Sequence, residues 1–295
     1  MSINRRDFLQ LSALTGAAMV IPAGLRHARA ASRASRGLFV LVQARGGWDP
    51  RFVCEPSLDP AHNRAYPALG RVAGLSYAPL AMTPRTTGLA EDSCAELMSA
   101  DAFFEAHGER LLAINGIETG TLDHAEGARA LWPESRSEAS LSRRVLELDD
   151  DDEAHSHFDD PELADLDQLM RHASLGLTAY EAGFVDALHL ELGGFDSHAS
   201  HDLAQTQQLG KLYRGVDELL AEAARRGLDH ELTLLVTSEL GRAAAYDGPG
   251  RFAGKDHGSR TSALLLGPRV AGGRVLADEG GALRFADVFA MAGRA

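Results

Sequence analysis

Short runs of mostly apolar residues are the feature that most limits the fold of this chain. Each run is too short to be a typical helix, and apolar residues dominate it, with His189, Glu191 and Thr233 as the polar residues inside the runs. That pattern is typical of strands that are buried on both faces of a sheet. The runs occupy residues 36–42, 110–114, 187–192, 231–236 and 262–266.

Stretches with helical spacing separate these runs. The clearest covers residues 202–226, where Leu209, Leu212 and Val216 share one face and Gly227 ends the helix. Further helices are expected over residues 95–107, 163–182 and 283–291. Strands that alternate with helices predict an α/β fold with a mostly parallel sheet covered on both faces. We expect one domain over residues 31–295.

Polar side chains follow several of the predicted strands. In a mostly parallel sheet, residues just past the carboxyl ends of the strands gather at one edge, where ligands bind. The loop around Asp256 and His257 can reach the same edge. Several carboxylate oxygens and imidazole nitrogens close together favour a divalent metal site. The residues after strands are Asp49, Asp123, His124, Asp196, His198 and Glu239.

Two of these loops share a motif. Gly46-Gly47-Trp48-Asp49 and Gly193-Gly194-Phe195-Asp196 each follow an apolar strand, so both need a sharp backbone turn and both end in a carboxylate. His198 and His201 come directly after the second motif. His198 is the expected ligand; His201 is a competing choice that better suits the start of the next helix.

Residues 1–30 have the pattern of a twin-arginine signal peptide. Asn4-Arg5-Arg6 precedes a mildly apolar stretch, and Ala28-Arg29-Ala30 is typical of a signal-peptidase site. The pattern predicts the twin-arginine export machinery as a partner, delivery to the periplasm, and no stable membrane span after cleavage. The oxidising periplasm leaves open a disulfide between Cys54 and Cys94.

The formal net charge of −13 argues against nucleic acid as a partner. Residues 147–161 are strongly acidic and include Asp149-Asp150-Asp151-Asp152-Glu153. A run of like charges without apolar periodicity is typical of a solvated insert. We therefore expect an acidic insert within the domain and not a metal-binding tract.

Five motifs occur along the chain in this order: Asn4-Arg5-Arg6, Gly46-Gly47-Trp48-Asp49, Gly194-Phe195-Asp196-Ser197-His198, Thr237-Ser238-Glu239-Leu240-Gly241-Arg242 and Gly254-Lys255-Asp256-His257-Gly258. Together they resemble one bacterial family. That family is an uncharacterised, twin-arginine-exported group known as domain of unknown function 1501, which is itself similar to the alkaline phosphatase and sulfatase superfamily. The resemblance implies an alkaline-phosphatase-like three-layer α/β/α sandwich around a metal site.

The resemblance also implies ligands for one or two metal ions. Asp256 would be a ligand or would orient His257. Leu240 departs from the superfamily, which often has His or Asn there, so the second metal is in question. Histidines together with carboxylates favour zinc or manganese, because calcium prefers oxygen ligands alone. The implied ligands are Asp49 for one metal, Asp196 and His198 for the other, and Glu239 and His257.

The activity implied is that of a periplasmic, metal-dependent hydrolase acting on a small anionic phosphate or sulfate ester. Thr121, with Thr119 nearby, is the candidate nucleophile, and a hydroxyl there needs a metal or a base to react. Arg242, together with Lys255, would neutralise the substrate. The alternative is a catalytically degenerate exported protein that binds a ligand or partner without turnover.

Overall fold

The computed structural model of the protein describes residues 37–131, 145–147, 160–277 and 283–293. The predicted signal peptide and residues 148–159 of the predicted acidic insert lie outside the described residues. The described strands are β1 (Leu38–Ala44), β2 (Gly70–Val72), β3 (Leu75–Tyr77), β4 (Leu112–Glu118), β5 (Val145–Glu147), β6 (Ala187–Leu192), β7 (Leu232–Thr237), β8 (Gly241–Arg242), β9 (His257–Gly258), β10 (Arg260–Leu266) and β11 (Arg274–Ala277).

One sheet of seven strands forms the centre, in the order β11-β4-β10-β7-β1-β6-β5. β7, β1, β6 and β5 run parallel to one another, and β11 runs parallel to β4. β10 is antiparallel to both of its neighbours, β4 and β7. The predicted mostly parallel sheet is therefore confirmed, with β10 as a reversed strand. β2 with β3 and β8 with β9 form small separate pairs.

Helices cover both faces of the sheet, which confirms the predicted layers. Leu38, Val40 and Val42 of β1 pack into the larger core on one face, while Phe39 and Leu41 pack into the smaller core on the other. Burial of one such side chain contributes about 2 kcal/mol. This is why the run is apolar at every position.

The described helices are α1 (Pro84–Thr87), α2 (Glu91–Glu96), α3 (Ala100–His107), α4 (His124–Leu131), α5 (Ala164–Glu181), α6 (His201–Arg225) and α7 (Phe285–Ala292). α3, α5 and α6 contribute to the larger core, and α4 and α7 to the smaller one. No helix among the described residues has the length and apolar character needed to span a membrane.

The strand directions bring five loops to one edge of the sheet. β1, β4, β6 and β7 end there, and β10 begins there because it runs the opposite way. β9 lies directly before β10 and pairs with β8, which comes shortly after β7. The loops that carry the sequence-predicted site residues therefore share this edge.

Candidate metal centre

Three imidazoles and one carboxylate converge at this edge; we call His124, Asp196, His198 and His257 the imidazole cluster. Nε2 of His257 lies 3.1 Å from Nε2 of His124 and 3.0 Å from Nε2 of His198. Oδ1 of Asp196 lies 3.3 Å from Nε2 of His257 and 3.0 Å from Nε2 of His198. The cluster faces solvent, since the side chains of Asp196 and His198 are each 49% exposed.

The hydrogen bonds at the far ring nitrogens fix how two of these imidazoles are protonated. Nδ1 of His257 lies 2.7 Å from the carbonyl oxygen of Leu122, which can only accept, so Nδ1 carries the proton. Nδ1 of His124 lies 2.9 Å from Oε1 of Glu239 and donates to that carboxylate in the same way. In their neutral forms both rings therefore direct the Nε2 lone pair into the cluster.

A cation fits this set of donor atoms. In these tautomers the Nε2 lone pairs of His124 and His257 face the carboxylate of Asp196, and all three would attract a cation placed between them. Nitrogen and oxygen ligands at about 2.0–2.2 Å from a tetrahedral zinc ion lie about 3.3 Å apart. The separations between neighbouring ligand atoms of the cluster run from 3.0 Å to 3.7 Å, the longest joining Nε2 of His124 and Oδ2 of Asp196, and they bracket that spacing. The residues present therefore suit a divalent metal.

Glu239 lies behind the cluster. Its side chain is 1% exposed, and its carboxylate accepts hydrogen bonds from the backbone N–H of Gly46 (2.8 Å), from Nε2 of Gln43 (3.0 Å) and from His124. The sequence predicts it as a metal ligand. The structure places it behind His124, where a carboxylate can orient the imidazole ring.

Asp256 lies at the exposed rim. Its side chain is 81% exposed, and Oδ1 accepts from the backbone N–H of His257 at 2.8 Å and lies 3.8 Å from Nδ1 of His198. Asp256, His198 and His257 offer ligand atoms close enough to hold an ion, as do His124, Asp196 and His257. Both predicted roles of Asp256, as a ligand and as an orienting group, are compatible with this position.

Arg242 is buried beneath Asp196 and does not face solvent. Its guanidinium donates to Oδ1 of Asp196 at 2.6 Å, to the carbonyl oxygen of Gly47 at 2.9 Å and to that of Gly46. Partial burial alone would raise the pKa of Asp196, but the hydrogen bond and charge of Arg242 hold it below its usual value. Arg242 was predicted to contact the substrate; here it orients Asp196 and the Gly46-Gly47 turn.

Asp49, another predicted ligand, lies in the interior away from the imidazole cluster. Its side chain is fully buried, and it accepts from Nζ of Lys255 at 2.7 Å and from Nε2 of His201 at 3.1 Å. Burial alone would raise the pKa of Asp49, but the hydrogen bond from His201 and the charge of Lys255 hold it far below its usual range. Lys255 is therefore not exposed to a substrate either.

His201 is the first residue of α6, as the sequence favoured, and its two ring nitrogens are both occupied. Nε2 contacts Asp49, and Nδ1 lies 2.8 Å from Oγ of Ser197. Burial lowers the pKa of His201 against the opposing effect of Asp49.

The hydroxyl of Thr121, the predicted nucleophile, makes local contacts. Oγ1 donates to Oε2 of Glu126 at 2.7 Å and accepts from the backbone N–H of Asp123 at 3.0 Å. The next residue, Leu122, provides the carbonyl that orients His257. Thr121 therefore lies beside the cluster, with a carboxylate in position to take its proton. Thr119 is buried, and its hydroxyl donates to backbone carbonyls.

His124 is the cluster member that the sequence prediction left out of the ligand set. The sequence placed it after a strand, at the correct edge, and that position was the available signal. Cys54 and Cys94 are both buried free thiols in the structure.

Solved structures with a related arrangement of elements come from sulfatases and from the alkaline phosphatase superfamily. A protein in that superfamily from Vibrio parahaemolyticus aligns at 10% identity over 81% of this chain and 62% of its own, with a TM-score of 0.32. The PsFucS1 sulfatase from Pseudoalteromonas sp. aligns at 11% identity over 92% and 70%, with a TM-score of 0.36. The C-terminal periplasmic domain of EcEptC from Escherichia coli, in complex with Zn, aligns at 10% identity over 79% and 73%, with a TM-score of 0.36.

These scores are too low for the neighbours' sites to be carried over to this chain. No curated protein matches the sequence. A family model does match, over residues 167–281, and this stretch contains Asp196, His198 and His257 of the imidazole cluster. The family is described as "Protein of unknown function (DUF1501)", and the resemblance drawn from the sequence motifs is confirmed over those residues.

Proposed function

We propose that this chain is a divalent-metal-dependent hydrolase of phosphate or sulfate esters. The observation that carries the proposal is the convergence of the His124, His198 and His257 Nε2 atoms on the carboxylate of Asp196 at an exposed edge of the sheet. Two of these imidazoles have their tautomers fixed by an acceptor on the far side. Such an arrangement is typical of a metal centre that keeps access to solvent.

Zinc or manganese suits this donor set, because imidazole nitrogen together with carboxylate oxygen selects against calcium. When bound, the metal would polarise an ester oxygen and lower the pKa of a water molecule or hydroxyl group. His124, Asp196, His198 and His257 would hold it, and Asp256 would be a further oxygen ligand or would orient His198 and His257. Glu239 keeps the proton of His124 on Nδ1, and Arg242 keeps Asp196 aimed at the cluster.

The attacking group is either the Thr121 hydroxyl or water. Oε2 of Glu126, at 2.7 Å, is placed to take the proton of Thr121 as that hydroxyl attacks. Thr121→Val is nearly isosteric and removes only the hydroxyl. A loss of more than 100-fold in kcat would favour Thr121 as nucleophile, and a loss below about tenfold would favour water.

The activity is tested with purified protein loaded with zinc or manganese and a panel of aryl phosphates and aryl sulfates. We expect turnover that stops with a chelator and falls at least 100-fold in Asp196→Asn and His257→Ala. His230→Ala is the matched control, because His230 is a 70% exposed histidine outside the cluster. Failure of the protein to bind metal would contradict the proposal.

The second candidate is a protein of the same fold that binds a ligand without turnover. One observation favours it: Arg242 and Lys255, the basic residues expected to neutralise an anionic ester, both have fully buried side chains. Stoichiometric metal with no hydrolysis of any ester in the panel would support this candidate over the first.

We also propose export to the periplasm through the twin-arginine pathway. The support is the sequence motif Asn4-Arg5-Arg6 and the Ala28-Arg29-Ala30 site that follows the apolar stretch. In Arg5→Lys/Arg6→Lys we expect the uncleaved precursor to accumulate in the cytoplasm. Arg26→Lys is the control, since it changes an arginine of the same segment outside the motif.

A further inference from the structure

Lys255 has a fully buried ammonium group, two residues before His257. Its Nζ donates to Oδ2 of Asp49 at 2.7 Å and to the carbonyl oxygen of His62 at 2.6 Å. It also lies 4.6 Å from the centroid of the Tyr246 ring, within the range of a cation–π contact. The cation thus has a carboxylate, a carbonyl and an aromatic face around it, which is how a buried charge is tolerated.

Asp49 has no free position for another cation. Oδ1 accepts from the backbone N–H of Arg51 at 3.0 Å and from its guanidinium at 3.2 Å. Oδ2 accepts from Lys255 and from Nε2 of His201. Two carboxylate oxygens offer about four lone-pair sites, and four donors occupy them.

A metal ion on Asp49 would have to displace the ammonium group or lie beside it. Asp49 already pairs with the guanidinium of Arg51 at Oδ1 and with the ammonium group of Lys255 at Oδ2, so a divalent ion would be a third cation in surroundings that screen charge much less than water does. The position of Lys255 therefore argues against the ligand role that the resemblance implied for Asp49.

Asp49 is also separated from the imidazole cluster by the side chain of Arg242. That guanidinium donates to the carbonyl oxygen of Gly47 on the Asp49 side and to Asp196 on the cluster side. The resemblance to metal-dependent esterases implied up to two ions. In this chain the ammonium group of Lys255 supplies positive charge at the place where one of those two ions would lie.

We propose that the ammonium group of Lys255 is the resident cation at Oδ2 of Asp49, in place of a second metal, and that the chain binds a single divalent ion at the imidazole cluster. The count of one ion rests on the proposed function. The assignment of Lys255 to Asp49 does not, so the two are tested separately.

The first test counts zinc ions in the purified chain by native mass spectrometry. We expect one ion per chain in the wild type, one in Asp49→Asn and none in His257→Ala. Two ions in the wild type that fall to one in Asp49→Asn would overturn the proposal. If the wild type binds no zinc, both the proposed function and the count of one ion are wrong. The pairing of Lys255 with Asp49 is decided by the second test, which needs no metal.

The second test is a double-mutant cycle read by thermal unfolding in the presence of chelator. Lys255→Met removes the cation from Oδ2 of the buried Asp49 carboxylate and leaves only the Arg51 guanidinium at Oδ1, so we expect the unfolding midpoint to fall by about 5 to 10 °C. Adding Asp49→Asn should recover part of that loss, because it removes a buried charge that has lost one of its two cations. Additive losses in the double variant would overturn the pairing.

Lys211→Met provides the matched control for the cycle. Lys211 is also buried and also donates to one carboxylate, Asp165, at 2.8 Å and to one carbonyl, that of Glu162, at 2.7 Å. It shares no partner with Asp49. We therefore expect Lys211→Met to be additive with Asp49→Asn and to leave the zinc count at one.

Discussion

At the scale of single residues, Gly46 is a position where both the backbone conformation and the packing beside the site require glycine. Its φ of +115° lies in a region that favours glycine, and a Cβ built on it would lie 2.5 Å from the backbone nitrogen of Asp196. Gly46→Ala must therefore strain its own turn and push the Asp196 loop away. We expect a loss of about 2 to 5 kcal/mol in unfolding free energy, measured by urea denaturation, together with weaker zinc binding.

Gly193→Ala is the comparison that isolates this effect. Gly193 holds the same place in the second Gly-Gly motif, but a Cβ there would meet no atom within 4 Å. Its substitution should change the unfolding free energy by less than about 1 kcal/mol. Equal losses in the two variants would contradict the steric argument.

Glu239 provides the second test at residue scale, since it is argued to act through His124. Glu239→Gln removes the charge that holds the proton on Nδ1 and keeps nearly the same shape. We expect zinc affinity, measured by competition with a chelator, to weaken by about 10- to 100-fold. Glu191→Gln, at a carboxylate whose side chain is 42% exposed, should leave the affinity unchanged. An unaltered affinity in Glu239→Gln would show that the carboxylate does not tune His124.

At the scale of secondary-structure elements, β6 carries a histidine that makes stability depend on pH. Burial lowers the pKa of His189 from 6.5 to about 4, and Nε2 lies 2.9 Å from Oε1 of Gln43 on β1. Between these two pKa values the unfolded chain takes up a proton that the folded chain does not. Stability is therefore full above about pH 6.5, falls as the pH drops toward 4 and then levels off for this group.

His189→Gln should flatten this part of the pH profile. Urea unfolding at pH 7.5 and pH 4.5 should show that the variant loses about 2 kcal/mol less than the wild type on acidification. His230→Gln changes an exposed histidine and should keep the wild-type slope. If His189→Gln loses as much unfolding free energy on acidification as the wild type, other groups cause the loss of stability in acid.

The same elements show what the sequence could and could not predict. Apolar runs located β1 and β7, which are buried on both faces, and β6, which is buried except at His189 and Glu191. Helical spacing located α6 within one residue at each end. The sequence did not predict the reversed direction of β10, because an apolar run has the same pattern in a parallel and in an antiparallel strand. Residues 50–90 lack clear periodicity, yet they include the pair of β2 and β3, whose strands of three residues each are too short to produce a periodic pattern.

For the site, the sequence predicted the edge but not the orientation of each side chain. Asp49 and Asp196 end matching motifs, yet Asp49 points into the interior toward Lys255 and Asp196 points to solvent. The direction of each side chain depends on hydrogen-bond partners that lie far away in the chain. The spacing of residues within one motif carries no information about those partners. His124 lies in the cluster for the same reason. Its ring donates a hydrogen bond to Glu239, which follows β7 and lies 115 positions further along the chain.

At the scale of the whole molecule, a bound metal ion would tie together loops that are distant in the sequence. His124 and His257, whose Nε2 atoms lie 3.1 Å apart, are separated by 133 positions. An ion that binds the folded chain and not the unfolded chain adds about 2.7 kcal/mol of stability at 100 times its dissociation constant. We therefore expect zinc to raise the thermal unfolding midpoint by several degrees and a chelator to reverse the shift.

Two variants show whether this stabilisation arises at the imidazole cluster. His257→Ala should unfold at the same temperature with and without zinc, because it removes the residue that contacts both His124 and His198. His230→Ala should retain the full shift. An equal zinc response in His257→Ala would place the stabilising ion elsewhere, and the proposed metal centre would then be wrong. An ion bound at the cluster would restrict three loops at once, those after β4, after β6 and before β10. If zinc does not shift the unfolding midpoint of the wild type, the proposed coupling between metal binding and folding is wrong.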